Sequence, residues 1–131
     1  MLPEQLTQYL DDYQQRVAAI HVARAHDYDS TPGNTDWHRR IAALLVQRAP
    51  LRPGRRVLDI ATGTGPVASN AAARAGPQGE VLGIGITACM LEQVRAKARA
   101  SRLGQVRVEL ADAENLVCRA HRLTMCFAVP R

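Results

Sequence analysis

Hydrophobic positions along the chain keep a helical period as far as Arg48 and alternate between two patterns beyond it. From about Glu4 to Ala25 they fall at helical spacing, as Leu6, Leu10, Tyr13, Val17 and Ile20, which predicts an amphipathic helix docked on a larger body. A polar turn from Asp27 to Thr35 ends it. A second helix is predicted from about Trp37 to Arg48, with Asp36 as N-cap and Ile41, Leu44 and Leu45 on its inner face. Pro50 and the Pro53-Gly54 turn stop it. Beyond Arg56, short apolar runs alternate with helical ones. Val57 to Ile60, Glu80 to Ile84 and Val106 to Leu110 read as strands; Val67 to Ala75 and Ala88 to Arg102, the latter behind Thr87, read as helices. Such alternation with short connections specifies right-handed βαβ units and a parallel sheet. The expected domain plan is a helix and linker over 1–35, then an α/β domain over 36–131.

A ligand site in such a sheet lies at the carboxyl ends of its strands. The first strand ends in the run Val57-Leu58-Asp59-Ile60-Ala61-Thr62-Gly63-Thr64-Gly65, an acid followed by a turn of small residues. Glycines at 63 and 65 let backbone N–H groups approach a ligand where a β-carbon would intrude. Asp59 alone would also serve as a turn-forming acid, and the glycines as parts of a tight strand-to-helix turn.

Composition narrows the class. Of 131 residues, 47% are hydrophobic and 22% charged, which is globular rather than disordered usage, and few aromatics mean an aliphatic core. No apolar run approaches the ~18 residues of a membrane span, and the N-terminus lacks the basic-then-apolar order of a signal peptide, so a cytoplasmic location is expected. Cys89, Cys118 and Cys126 are odd in number and form no C-x-x-C pair; they read as free thiols, with no metal site. The net charge of +5 favours anionic partners, but the arginines are dispersed and carry no aromatic stripe, which argues against a nucleic-acid platform.

Three segments in order carry a resemblance. The run Val57 to Gly65, then Gly79 to Thr87 with Met90-Leu91-Glu92, then Val108-Glu109-Leu110-Ala111-Asp112-Ala113-Glu114-Asn115-Leu116, resembles the class I S-adenosylmethionine-dependent methyltransferases, particularly the quinone-biosynthesis type. The resemblance covers roughly Tyr28 to Leu116. It implies a Rossmann-like open sheet with flanking helices and local strand order 3-2-1-4, and S-adenosylmethionine as cofactor. Asp59 then corresponds to an acid that helps bind the amino-acid end of the cofactor, directly or through water. Ala61, Gly63 and Gly65 correspond to the turn beneath its methionine and ribose portions. Asp112 corresponds to the acceptor for the adenine amino group, with the Ala113 backbone beside it, although it would equally cap a helix beginning near Glu114. Ile86 and Met90 flank the adenine or pack under it; Tyr28 and Trp37 cover the cleft or simply pack.

The chain departs from the family pattern twice. Where the family ends strand two with an acid that accepts hydrogen bonds from both ribose hydroxyls, Gly85 stands here, 22 residues after Gly63. Losing a hydrogen bond to a charged group costs roughly 1.5–3 kcal/mol, about one to two decades of affinity. The second departure is length: fifteen residues follow Leu116, so the sheet is expected to be incomplete, with about four strands. Leu123 to Val129 has the composition of a buried fourth strand, after Ala120-His121-Arg122 where the family opens with an aromatic-Asp pair. An apolar edge left there would invite pairing between copies.

Two function classes follow. One is a methyltransferase acting on a small-molecule acceptor, impaired or partner-dependent because the half that shapes the acceptor pocket is missing; no catalytic base is assigned, His121 being the nearest in sequence. The other is a non-catalytic ligand-binding or interaction module derived from such an enzyme. A nicotinamide dehydrogenase fits worse, since the turn lacks the last glycine of G-x-G-x-x-G and the ribose-binding acid.

Overall fold

A computed structural model describes residues 3–25, 27, 34–115 and 125–128. In chain order the elements are α1 (Pro3–Arg24), α2 (Asn34–Arg48), β1 (Arg56–Ile60), α3 (Pro66–Ala75), β2 (Glu80–Gly85), α4 (Ala88–Ala100), β3 (Val106–Leu110) and β4 (Met125–Ala128). The four strands form one parallel sheet in the order β3-β2-β1-β4. Val57 therefore sits between Val81 on one side and Met125 on the other, and Asp59 between Gly83 and Phe127. The expected strand order and the strand character of the C-terminal run are both present; the flanks of that run lie outside the described residues.

The α/β pattern works because alternate strand residues point to one face and find helices there. Val57, Val81 and Phe127 pack with Ala42 and Val46 of α2 and with Val67, Ala68, Ala71 and Ala72 of α3. Val108 packs with Leu91 and Val94 of α4. The alanine surface of α3 lets α2 lie close against it. Arg74 fastens the pair, its guanidinium donating to the carbonyls of Val46 (3.3 Å), Gln47 (3.0 Å) and Leu51 (3.1 Å) where α2 runs out of internal partners.

Three expectations are corrected. The stripe on α1 is not docked: Leu6, Leu10, Tyr13 and Ile20 are exposed, and Val17 alone of the five is half-buried. Its second half is tied to the body beneath, through Gln14 donating to Glu114 (3.2 Å) and, just past the helix end, Gln93 donating to the Ala25 carbonyl. On α2, which begins at Asn34 and so places Asp36 inside its first turn, Ala42 and Val46 face the core while Leu44 and Leu45 are exposed. Ala42 and Val46, four residues apart on one helix face, meet the alanine side of α3.

The third correction concerns the end of α4, which stops at Ala100, two residues before Arg102. There the Leu103 amide donates to the Ala98 carbonyl and the Arg102 amide to the Arg99 carbonyl, with Arg102 left-handed at φ 56°. That is the Schellman pattern, which ends a helix by turning its last carbonyls onto the following amides. Among the described residues no helix is long and apolar enough to cross a membrane, and Cys89 and Cys126 form no disulfide.

Candidate functional site

The carboxyl ends of β1, β2 and β3 meet at one cleft of about 230 Å³. From β1 come Ile60, Ala61 and Gly63; from β2, Ile84, Gly85 and Ile86. Ala111, Asp112 and Ala113 follow β3, while Met90 and Leu91 of α4 and Val17 of α1 close the walls. Two backbone bonds hold the strand ends in register: the Thr62 amide donates to the Ile84 carbonyl (2.9 Å) and the Ala111 amide to the Gly85 carbonyl (3.0 Å).

The turn after β1 is built by alternation. Ala61, Gly63 and Gly65 are left-handed, at φ 57°, 57° and 86°. Between them the side chains of Thr62 and Thr64 turn inward and are buried, so Ala61 and Gly63 are presented to the cleft. Ala61 holds a conformation that costs a β-carbon-bearing residue about 1–2 kcal/mol, which marks the turn as over-determined by its surroundings. Those surroundings are identifiable. The Gly65 amide donates to the Thr62 carbonyl (2.9 Å), and the Lys97 ammonium of α4 donates to the Thr64 carbonyl (3.0 Å).

Asp59 lies beneath this turn. Its carboxylate is 2% exposed and accepts hydrogen bonds from the Thr62 hydroxyl (2.8 Å) and the Ala68 amide at the start of α3. Burial raises its carboxyl from the ordinary 3.8 to about 6, against those two hydrogen bonds, which pull it down. Thr62 in turn packs on Gly83 of β2, where an added β-carbon would stand 2.9 Å from the hydroxyl and 3.1 Å from the two side-chain carbons of Thr62. Gly83→Ala must therefore displace the side chain that holds Asp59. A loss of roughly 1–3 kcal/mol in folding stability is expected, read by urea denaturation; an unchanged midpoint would show that Thr62 moves freely.

Of the positions singled out from sequence, Ala61, Gly63, Gly85, Ile86, Asp112 and Ala113 line the cleft, whereas Asp59 and Gly65 stand behind its wall. Asp112 Oδ1 accepts from the Glu114 amide (2.9 Å) and so caps the 3₁₀ turn Ala113–Asn115. Met90 is 1% exposed and lies in both the core and the cleft wall. Trp37 is 63% exposed and is not in the lining. Tyr28, Cys118 and His121 lie outside the described residues. Sequence reasoning passed over Thr62, Gly83 and Leu91. The signal for Gly83 was present, since glycine inside a strand marks a close approach of another group.

Comparison with known proteins gives consistent findings. A family model described as a methyltransferase domain matches residues 57–129. The chain is 41% identical over 95 residues to the ubiquinone/menaquinone biosynthesis C-methyltransferase UbiE of Bordetella parapertussis, covering 72% of this chain and 36% of that protein. It is 39% identical over 85 residues to nocamycin O-methyltransferase of Saccharothrix syringae, covering 65% and 30%. Thus the chain spans about a third of the length of these relatives. Among solved structures, coclaurine N-methyltransferase bound to N-methylheliamine and S-adenosylhomocysteine superposes with a TM-score of 0.58 at 21% identity, over 68% of this chain and 26% of that one.

Proposed function

The chain belongs to the S-adenosylmethionine-dependent methyltransferase family, and on that premise we propose that the cleft above β1, β2 and β3 holds this cofactor for methyl transfer to a small-molecule acceptor. The cofactor supplies a methyl group activated on a sulfonium. The observation that carries the reading is the convergence of three strand ends on one cleft whose floor is a left-handed turn. Ala61 and Gly63 leave that turn open to the methionine and ribose portions. Asp112, oriented by its bond to the Glu114 amide, accepts from the adenine amino group, with the Ala113 backbone beside it. Ile86, Met90 and Leu91 provide apolar walls for the ring. Asp59 and Gly65 act from behind, one by holding Thr62 and the Ala68 amide, the other by letting α4 approach.

Among the described residues Asp112 is the titratable group in the lining; the described part of the site is thus weighted toward cofactor binding and orientation, and no base is assigned. That balance also favours a second reading, a binding module that keeps the cofactor site without turnover. A cytoplasmic setting and self-association along a sheet edge belong to the same proposal. Calorimetric titration separates the possibilities. S-adenosylmethionine and S-adenosylhomocysteine are expected to bind and NAD not; failure of both adenosyl compounds to bind overturns the assignment, and binding without methyl transfer to any quinone or phenol supplied selects the module.

A further inference from the structure

We infer that this cleft takes its adenosyl ligand without reading the ribose hydroxyls, and that Gly85 is the specificity-determining position. The inference rests on the cofactor reading above. In doubly wound sheets an acid about 20 residues beyond the glycine turn, at the end of the second strand, accepts from the ribose. Here that end is Gly85, flanked by Ile84 and Ile86, so the wall is apolar where a carboxylate would be expected. Among the described residues of the lining, no charged group stands at the end of β2 in its place. Asp112 is the lining carboxylate, it follows β3 rather than β2, and one of its oxygens already caps Glu114. The Gly85 carbonyl is also engaged, by the Ala111 amide at 3.0 Å.

Packing does not require the glycine. A β-carbon at 85 would meet Leu91 Cδ2 at 3.4 Å and Thr62 Cγ2 at 3.9 Å, ordinary contacts, whereas at 65 or 83 it would come within 3.0 Å of a neighbour. Nor is Gly85 among the glycines of positive φ. A β-carbon is therefore admissible at this position and absent from it. Thr87 lines the cleft two residues further on, and its neutral hydroxyl is a weaker acceptor for the sugar than a carboxylate would be. The ligand class this predicts includes adenosyl thioethers whose ribose lacks its 2′- or 3′-hydroxyl.

The test titrates the full chain with S-adenosylhomocysteine and with its 2′-deoxy and 3′-deoxy analogues. Less than a fivefold loss of affinity for each analogue is expected; a loss of fivefold or more for either overturns the inference. Gly85→Asp is expected to bind S-adenosylhomocysteine at least tenfold more tightly and to lose that gain with the deoxy analogues. Equal affinity of the variant for all three compounds would show that position 85 does not face the sugar, and would also overturn it. Should S-adenosylhomocysteine bind neither protein, the cofactor reading itself fails, an outcome distinct from tight binding that depends on the hydroxyls.

Discussion

Replacing Gly65 with alanine is expected to lower folding stability by about 2–5 kcal/mol. Two costs combine. At φ 86° a β-carbon is strained by about 1–2 kcal/mol whatever its surroundings. It would also stand 2.9 and 3.0 Å from the two methyl carbons of Val94, and overpacking of a formed core costs roughly 1–3 kcal/mol. Val94→Ala separates the terms, because it removes the methyl groups that the new β-carbon meets. In the double variant the losses should fall short of the sum of the single ones by roughly 1 kcal/mol or more. Strict additivity in urea denaturation would mean that α4 shifts to accommodate residue 65, and the second cost would have to be withdrawn.

Asp59 should make the protein less stable as pH rises through the mildly acidic range. Its carboxyl titrates at about 6 when folded and at 3.8 in its ordinary state, so between these values the folded chain holds the proton more tightly than the unfolded one. Stability from this group is then fully present below about 4 and is lost as pH rises through about 6. A shift of that size corresponds to about 3 kcal/mol at most. Asp59→Asn cannot ionise, so the stability difference between wild type and variant isolates the effect from every other acid. Between pH 4 and pH 7 that difference should move by about 2–3 kcal/mol against the wild type. A constant difference would mean that the carboxylate is no costlier to ionise in the fold than outside it.

The two experiments probe the same construction from opposite sides, and they show why the element order was legible in the sequence while the wiring of the site was not. The short apolar run Val57 to Ile60 and the alternating run Val106 to Leu110 read as strands, and the helical runs between them return the chain in parallel. Local pattern does not say which apolar residues find partners. On α2, Leu44 and Leu45 look like the inner face by size, but the neighbouring surface is the alanine side of α3, against which Ala42 and Val46 fit.

The same limit applies to the turn. That residues 63 and 65 need glycine follows from the strand-to-helix geometry, yet only the fold shows that a β-carbon at 65 would meet Val94 of α4. Asp59 likewise carries the acid of a ligand loop in its sequence context, while its buried position depends on Thr62 and Ala68, which only the folded turn brings to it.

The central position of β1 sets an order of events. It pairs on one side with β2, which follows after a single helix, and on the other with β4, whose residues come nearly at the far end of the described chain. Closing the longer loop costs roughly 1 kcal/mol more in chain entropy, so the β3-β2-β1 side can assemble before β4 arrives. The turn that floors the cleft is then formed against an open edge and covered last, when Phe127 docks beside Asp59 and joins the α2–α3 core. The turn that floors the cleft thus depends on local pairing with β2, while the other side of its strand depends on a contact made across most of the α/β region.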